Sequence, residues 1–540
     1  MLFTSWDFLF FFLPIALFGY WTLSHLGRAG GASWLILASI VFYGFFAPSL
    51  VILLLCSIAF NYLVSVGIRS LMAKPSLQQA LLFFGITADL GALFYYKYFF
   101  ALFSFVDGLA FNGLHGMQAI ILPLGISFFT FTQIGYLIDC KAGVTEENSL
   151  LDYILFVTFF PHLIAGPILH HSEMMPQFAD RSIYGLRADN LGAGFSFFTL
   201  GMLKKILFAD PLAALNASGF AAAEHIQVLG AWGTVLGYSL QLYFDFSGYS
   251  DMAIGLALMF NIKFPANFNS PYKARNIIDF WQRWHMTLTR YLTLYLYNPI
   301  AMGLRRRRMD RGHSMSRKAM ETPHAFVTLV AMPTVFTMGL AGLWHGAGFQ
   351  FVIFGLLHGF YLVVNHGWRM YGPKPSKTPR AWLARQAIVV SQVTITFLAV
   401  LLAQVFFRAD STSQALDMLS GMFGLHGFEH ALPVPRTVMD VSTKLNALLQ
   451  PFGFSLFVPV FNPYAVQAFR IVLGFVIVWS LPNTQQIMAL AKPILGKMPP
   501  MAPRLLLWRP SVPWALTIGG SAIVALLSLS GTTEFLYFQF

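Results

Sequence analysis

Three stretches of the chain, Leu50 to Gly67, Ala325 to Leu343 and Gln386 to Phe407, run without a single charged side chain. A hydrocarbon layer roughly 30 Å thick is crossed by about 20 helical residues. Backbone inside lipid must satisfy its own hydrogen bonds, which leaves helices as the form such stretches take in a chain of this kind. The composition points the same way. Of 540 residues, 57% are hydrophobic and 10% charged, whereas soluble domains carry about a quarter charged residues. The 56 phenylalanines, 20 tyrosines and 12 tryptophans suit the hydrocarbon layer and its interfaces. The chain reads as an all-α, polytopic integral membrane protein.

Apolar runs predict spans near 6–23, 33–46, 50–68, 81–99, 120–138, 191–208, 231–258, 325–343, 347–365, 386–407, 465–481 and 514–530, which gives 11–13 transmembrane helices. Segments 151–169 and 280–300 are apolar but studded with polar residues, and read as re-entrant or interfacial. The first run, Trp6 to Leu23, lacks a basic flank and a small-residue cleavage site, so it is expected to be retained as a span. Cys56 and Cys140 are too few for a disulfide framework and are expected to be free. With no internal repeat and no long hydrophilic tract, residues 1–540 read as one membrane domain, in which the proline-bearing loop 409–464 folds over the surface as a cap.

The net charge of +12 does not imply a nucleic-acid partner, because the basic residues sit in loops between apolar runs rather than on an exposed domain. Gly303 to Met320 carries seven lysines and arginines, and Arg369 to Arg385 carries five with no acid. Ala409 to Tyr464 holds Arg436 and Lys444 against Asp410, Asp417, Glu429 and Asp440, and Thr484 to Val512 is basic again. Basic loops resist translocation. The arginine loop is therefore expected in the cytoplasm, with loop 409–464 and the C-terminus on the other side.

An ionisable side chain at membrane depth is a functional candidate by default. His345, in Gly339-Leu-Ala-Gly-Leu-Trp-His-Gly-Ala-Gly348, follows an uncharged run and is flanked by glycines that let backbone approach closely. Stripped of solvent, its imidazole stays neutral and can act as a general base on an alcohol; a structural histidine bonding a carbonyl fits the local composition equally well. His285 lies in Asp279-Phe-Trp-Gln-Arg-Trp-His-Met-Thr-Leu-Thr-Arg290, and on a helix it shares a face with Trp281, Trp284, Leu288 and Leu292, while Gln282, Arg283 and Arg290 point elsewhere. A surface helix with tryptophan anchors and snorkelling arginines is the competing reading. His358 follows His345 by thirteen residues; on one continuous helix they would stand roughly 20 Å apart, which excludes a catalytic pair and makes His358 structural.

There is no Gly-x-Ser-x-Gly elbow, no Walker phosphate loop and no His-Glu-x-x-His zinc site, and no residue is singled out as a metal ligand. None of the fourteen histidines has Asp after four intervening residues, the signature of soluble glycerolipid acyltransferases.

Several ordered motifs remain: the opening Met-Leu-Phe-Thr-Ser-Trp-Asp-Phe-Leu-Phe, Pro123-Leu-Gly-Ile-Ser-Phe-Phe-Thr-Phe131, Pro161-His-Leu-Ile-Ala-Gly-Pro167, Tyr243-Phe-Asp-Phe-Ser-Gly-Tyr-Ser-Asp251, Asn267-Phe-Asn-Ser-Pro-Tyr272 leading into Phe280-Trp-Gln-Arg-Trp-His285, and Trp344-His-Gly346 followed by Gly355-Leu-Leu-His-Gly359. Along most of its length the chain resembles the membrane-bound O-acyltransferase family, in its bacterial alginate O-acetylase branch. The resemblance implies that His345 is catalytic and that His285 lines the same reaction chamber, walled by Trp281, Trp284 and Trp344. It implies a ring of spans about a thin centre, a cytoplasmic funnel for an acyl thioester such as acetyl-CoA, and no bound cofactor. It further implies location in a bacterial inner membrane, and passage of acetyl to a periplasmic transferase partner that decorates an exopolysaccharide such as alginate or cellulose. Arg283, Arg290 and the run Arg305 to Arg308 are candidates for the CoA diphosphate. Asp245 and Asp251 are candidate polar groups for substrate or for a neighbouring helix, and Asp210, after Lys204 and Lys205, is a further one.

One departure is local. Tyr297-Asn-Pro-Ile-Ala-Met-Gly303 runs into four arginines where the alginate branch has a Tyr-Ile-Pro-Leu-Gly-Gly-like turn, which leaves the polymer open. Two other readings stand beside acetyl transfer: D-alanyl transfer to an envelope polymer, and a non-enzymatic polysaccharide or small-anion transporter. Transporters commonly carry repeats and matched broken helices, and neither is visible.

Overall fold

A computed structural model of the chain describes residues 1–46, 48–100, 102–103, 122–145, 149–373, 382–428, 463–529 and 535–536. The described residues are almost wholly helical; strand is confined to a two-residue parallel pair, β1 (Phe264–Pro265) with β2 (Ile494–Leu495). The main helices are α1 (Asp7–Ser24), α2 (Arg28–Gly44), α3 (Pro48–Ser70), α4 (Pro75–Lys97), α5 (Ile126–Ala142), α6 (Leu150–Thr158), α7 (His171–Ala179), α8 (Ala188–Ala221), α9 (Val228–Met259), α10 (Ile277–Trp281), α11 (286–310), α12 (Pro323–His345), α13 (Phe349–Tyr371), α14 (Trp382–Arg408), α15 (Thr412–Met422), α16 (Pro463–Ser480) and α17 (Val512–Leu527).

Seven of these (α1, α3, α4, α8, α12, α13 and α14) are long and apolar enough to cross a membrane, and α16 and α17 contain shorter apolar helices. The protein is a multi-pass membrane protein. The other predicted spans also fall on helices, some shorter and one more polar. Helices α2 and α5 have only 17 residues each. Helix α9 is 32 residues long, yet from Gly237 to Met259 every residue is buried. It is wrapped by protein rather than lipid, so it tolerates Asp245, Asp251 and several serines that a lipid-facing helix would not.

Small residues set how closely the helices approach. A Cβ added at Gly201 would lie 2.6 Å from the Gly248 carbonyl oxygen, and one at Gly194 would lie 2.6 Å from that of Gly255. Helices α8 and α9 therefore cross antiparallel with backbones in contact, the small-residue packing that replaces the hydrophobic effect inside lipid. Two ion pairs lock the same crossing, Lys205 with Asp245 at 2.8 Å and Lys204 with Asp251, and Lys205 also pairs within α8 with Asp210 at 3.0 Å. Burying such charges is tolerable only when they are paired.

Segment 151–169 enters as α6, breaks at Phe159, makes one further helical turn over Phe160–Leu163 and then leaves the helix, buried throughout except Leu151 and Ile154. Segment 280–300, read as re-entrant or interfacial, is irregular and buried at its start. It begins as a buried break after Trp281 and continues as α11, which carries Arg305 to Arg308 in its last turns. Cys140 is buried and Cys56 exposed, both free. In loop 409–464, α15 is described and packs on α9 and α14; the proposed cap over 429–462 lies outside the described residues.

Candidate active site

Helix α12 stops at His345 because Gly346 takes an extended conformation (φ −168°, ψ 163°), and α13 restarts at Phe349. The two helices fold back on each other. A Cβ at Gly342 would fall 2.2 Å from the Phe351 carbonyl oxygen, and one at Gly355 would fall 2.2 Å from that of Met338. His345 and His358 lie three residues beyond these glycines on opposite sides of the crossing. Their separation along the axes is about 9 Å at 1.5 Å per residue, and the expected 20 Å does not hold because there is no single helix. The Phe354 ring bridges them, its centroid 5.9 Å from the His345 ring and 4.7 Å from that of His358.

The end of α12 leaves orphan carbonyls that need donors. Helix α4 supplies them. Lys97 Nζ donates to the Trp344 carbonyl at 2.5 Å and the His345 carbonyl at 3.2 Å, and the Tyr98 hydroxyl donates to Leu343 at 2.8 Å. A cation at a helix C-terminus also matches the helix dipole. The buried His345 ring is held by Trp344, Phe354 and Phe407, the last at 5.0 Å between centroids.

His285 departs from the predicted helical face. The chain turns through Gln282 to Trp284, and His285 itself adopts a left-handed conformation at φ 44°. That conformation costs a non-glycine residue on the order of 1–3 kcal/mol and is retained where surroundings over-determine it. Asn267 does so. Its Oδ1 meets His285 Nδ1 at 3.0 Å and accepts from the Thr287 hydroxyl at 2.9 Å, while its Nδ2 donates to Ser250 at 3.1 Å. An Oδ1 acceptor makes Nδ1 the protonated nitrogen of His285 and leaves Nε2 with its lone pair. Despite the break, Trp281, Trp284, His285 and Leu288 still line one space.

That space is a narrow cavity bounded by Trp281, Trp284, His285, His345, His358 and Gln404. The Trp281 indole donates to His358 Nδ1 at 3.3 Å. On its other side His345 belongs to the wall of a second cavity of about 70 Å³, lined by Lys97, the Leu122 to Phe128 turn, Ile164 and Trp344. Gly125 shapes this turn: its φ is 74°, and a Cβ there would lie 2.6 Å from the Leu163 carbonyl oxygen. The motifs at 123–131 and 161–167 thus meet at His345. Trp344 carries a buried indole N–H with no acceptor among the described residues.

The other candidates do not reach these cavities. Arg283 pairs with Asp279 at 2.7 Å and donates to the Asn269 carbonyl, and Arg290 forms a two-pronged pair with Glu173 at 2.5 and 2.8 Å. Asp245 is taken up by Lys205 and the Leu536 amide, Asp251 by Lys204 and Gln485. Each of the four is thus paired within the chain, Asp245 and Asp251 in the buried interior and Arg283 and Arg290 nearer the surface. Sequence reasoning passed over Lys97, Asn267 and Gln404. Lys97 had a legible signal, a lysine at the end of an apolar run.

Residues 137–313 match the family model described as MBOAT, membrane-bound O-acyltransferase family. The chain is 41% identical over 461 residues to a peptidoglycan O-acetyltransferase of Helicobacter pylori, covering 79% of this chain and 80% of that protein. It is 37% identical over 432 residues to a probable alginate O-acetylase of Pseudomonas aeruginosa, covering 78% and 75%. It is 28% identical over 279 residues to a teichoic acid D-alanyltransferase of Bacillus subtilis, covering 51% and 67%. The helical membrane fold and these matches define a membrane O-acyltransferase. The chain belongs to the membrane-bound O-acyltransferase family.

Proposed function

We propose that the protein moves acetyl from a cytoplasmic thioester, acetyl-CoA, through the bacterial inner membrane for O-acetylation of a cell-envelope or extracellular glycan, with His345 as general base and His285 orienting the reactants. The observation that carries this reading is that one imidazole, His345, forms part of the walls of two cavities. The cavity beside Lys97 lies at the end of α4 away from Arg69, Lys74 and Lys141. By the positive-inside rule this is the outer side. The tryptophan-lined cavity, with His285 and His358, lies on the inner approach.

In the transfer, His345 accepts the proton of an acceptor hydroxyl, whose oxygen attacks the thioester carbonyl carbon. The new C–O bond forms, the C–S bond breaks, and the proton returns from His345 to the departing thiolate. A neutral imidazole accepts and returns this proton without metal or bound cofactor. The acceptor is a glycan hydroxyl or a hydroxyl of a periplasmic transferase partner. The names of the two acetylase relatives specify peptidoglycan and alginate, which supports a glycan as final acceptor. D-alanyl transfer is favoured less, because the D-alanyltransferase relative matches only 51% of this chain.

Inside-out membrane vesicles supplied with radiolabelled acetyl-CoA test the donor and its side. Label should appear in ester-linked acetate inside wild-type vesicles and be absent with His345→Gln. Equal transfer from right-side-out vesicles without permeabilisation would reverse the assigned sidedness.

A further inference from the structure

Away from both cavities, Asp139 at the end of α5 and His170 and His171 at the start of α7 bring three potential ligand atoms within 4.8 Å of one another, the one such group among the described residues. His170 Nε2 and His171 Nε2 each lie 3.0 Å from Asp139 Oδ2. Tyr295, on α11, adds a fourth: its hydroxyl oxygen is 2.5 Å from the same carboxylate oxygen and 2.6 Å from His170 Nε2.

Two imidazole nitrogens and a phenol oxygen thus gather around one carboxylate oxygen, the four atoms coming from three separate segments. As a hydrogen-bond cluster the arrangement is crowded. One carboxylate oxygen faces three donors, and the tyrosine hydroxyl has a single proton to share between Asp139 and His170. A divalent ion relieves the crowding by taking a lone pair from each atom. Two imidazoles, a carboxylate and a phenol form a four-coordinate set of the kind zinc accepts, with bonds of about 2.0–2.2 Å. Tetrahedral bonds of that length separate ligand atoms by about 3.3 Å, so the contacts of 2.5 to 3.0 Å open by about 0.3–0.8 Å to admit the ion. The surroundings suit an ion as well. His170 Nδ1 lies 2.6 Å from the Ser172 hydroxyl, which can accept an Nδ1–H and so leave the Nε2 lone pair facing the centre. In that tautomer the longer 3.3 Å contact from the Ser172 amide is given up. Asp139 and His170 retain 13% and 19% side-chain exposure, which provides a route of entry.

We propose that Asp139, His170, His171 and Tyr295 bind a divalent first-row transition ion, with zinc as the matching probe, and that the ion ties α5 and α7 to α11. The last link matters because α11 begins beside His285. Rings also touch in series from the cluster to the active site: Tyr295 meets Tyr291 tilted at 4.7 Å, Tyr291 stacks on Phe131 at 4.8 Å, and Phe131 stacks on Trp344 at 5.2 Å. An ion held by Tyr295 steadies this series under the catalytic histidine.

The test uses the full chain in detergent, purified through a tag without histidine, stripped with a chelator and titrated with zinc and, separately, cobalt(II). Wild type should take up one zinc per chain, gain thermal stability from it, and show the visible bands of four-coordinate cobalt. His170→Gln/His171→Gln should lose at least tenfold in zinc affinity and lose those bands, and Tyr295→Phe, which keeps three ligands, should weaken binding less. Uptake by wild type below one zinc per chain at tenfold excess overturns the proposal even if the double variant does not fold. Equal uptake by wild type and double variant also overturns it.

Discussion

The Lys97 ammonium donates to the main-chain carbonyl of His345 at 3.2 Å and caps the helix that presents this imidazole. Lys97 therefore acts on the chemistry through backbone position, since its partners are carbonyl oxygens at the C-terminus of α12. Hydrogen bonds to charged groups are worth about 1.5–3 kcal/mol. Lys97→Met should lower kcat by roughly tenfold to a hundredfold on that scale while membrane insertion is retained. Retention of wild-type kcat by Lys97→Met would reduce the capping contact to an incidental one.

Asn267 stands behind His285 as Lys97 stands behind His345. Removing its side chain leaves the His285 Nδ1 and the Thr287 hydroxyl without their acceptor, and a buried polar group so stranded costs about 1–3 kcal/mol. Asn267→Ala should lower both thermal stability and turnover. Asn267→Asp keeps the acceptor oxygen and should recover part of the turnover. Identical activity in the two variants would mean that Asn267 Oδ1 does not hold the His285 ring.

Arg283 and Arg290 give a prediction of the opposite sign to the one their sequence position suggests. Each is neutralised by a carboxylate, Asp279 or Glu173. Arg283→Gln and Arg290→Gln should leave donor KM near the wild-type value, with Arg290→Gln losing stability because Glu173 then keeps its charge alone. A large rise in donor KM for either variant, measured at equal folded protein, would return it to the donor site.

How much of this was legible beforehand varies with the physics involved. The spans were, because an uncharged run of 20 residues has few alternatives. The span at 231–258 was legible and falls on helix α9, but not its sheathing by protein, because composition does not distinguish a polar helix wrapped by its neighbours from one facing lipid. The motifs at 123–131 and 161–167 were visible, but not that both end at His345, since Gly125 packing on Leu163 joins residues far apart in sequence. Helical periodicity failed at the two places that matter most. Gly346 breaks α12 from α13, and a left-handed His285 breaks α10 from α11. The glycines around His345 signalled a possible break; nothing local signals left-handed backbone at a histidine. His170 and His171 were passed over because their partners, Asp139 and Tyr295, are 32 and 125 residues away in sequence.

The crossing of α8 and α9 predicts a packing penalty. Gly201→Val would drive side-chain atoms into the Gly248 backbone, where a Cβ alone already sits at 2.6 Å. Overpacking of this kind costs about 1–3 kcal/mol or more. Thermal melting in detergent should show a clear fall for Gly201→Val and little change for Gly91→Val, since a Cβ at Gly91 meets no atom within 4 Å. Equal melting temperatures would indicate that the helices separate freely at this point.

Orientation is checked by single cysteines at Ser314 and Ser420 in a background lacking Cys56 and Cys140. An impermeant thiol reagent on intact cells should label the Ser420 position and spare Ser314. The reverse pattern, or labelling of both, contradicts the assignment of the arginine loop to the cytoplasm and of the Lys97 cavity to the outer side.

The central claim is that His345 moves the proton of the acceptor hydroxyl. His345→Gln tests it most directly, since glutamine keeps hydrogen-bonding capacity in a similar volume but does not accept a proton near neutral pH. General-base catalysis contributes about 10²- to 10⁴-fold. Base-labile acetate on the envelope glycan, normalised to folded membrane protein, should therefore fall to near background in cells carrying His345→Gln. Acetate close to the wild-type level would contradict the account.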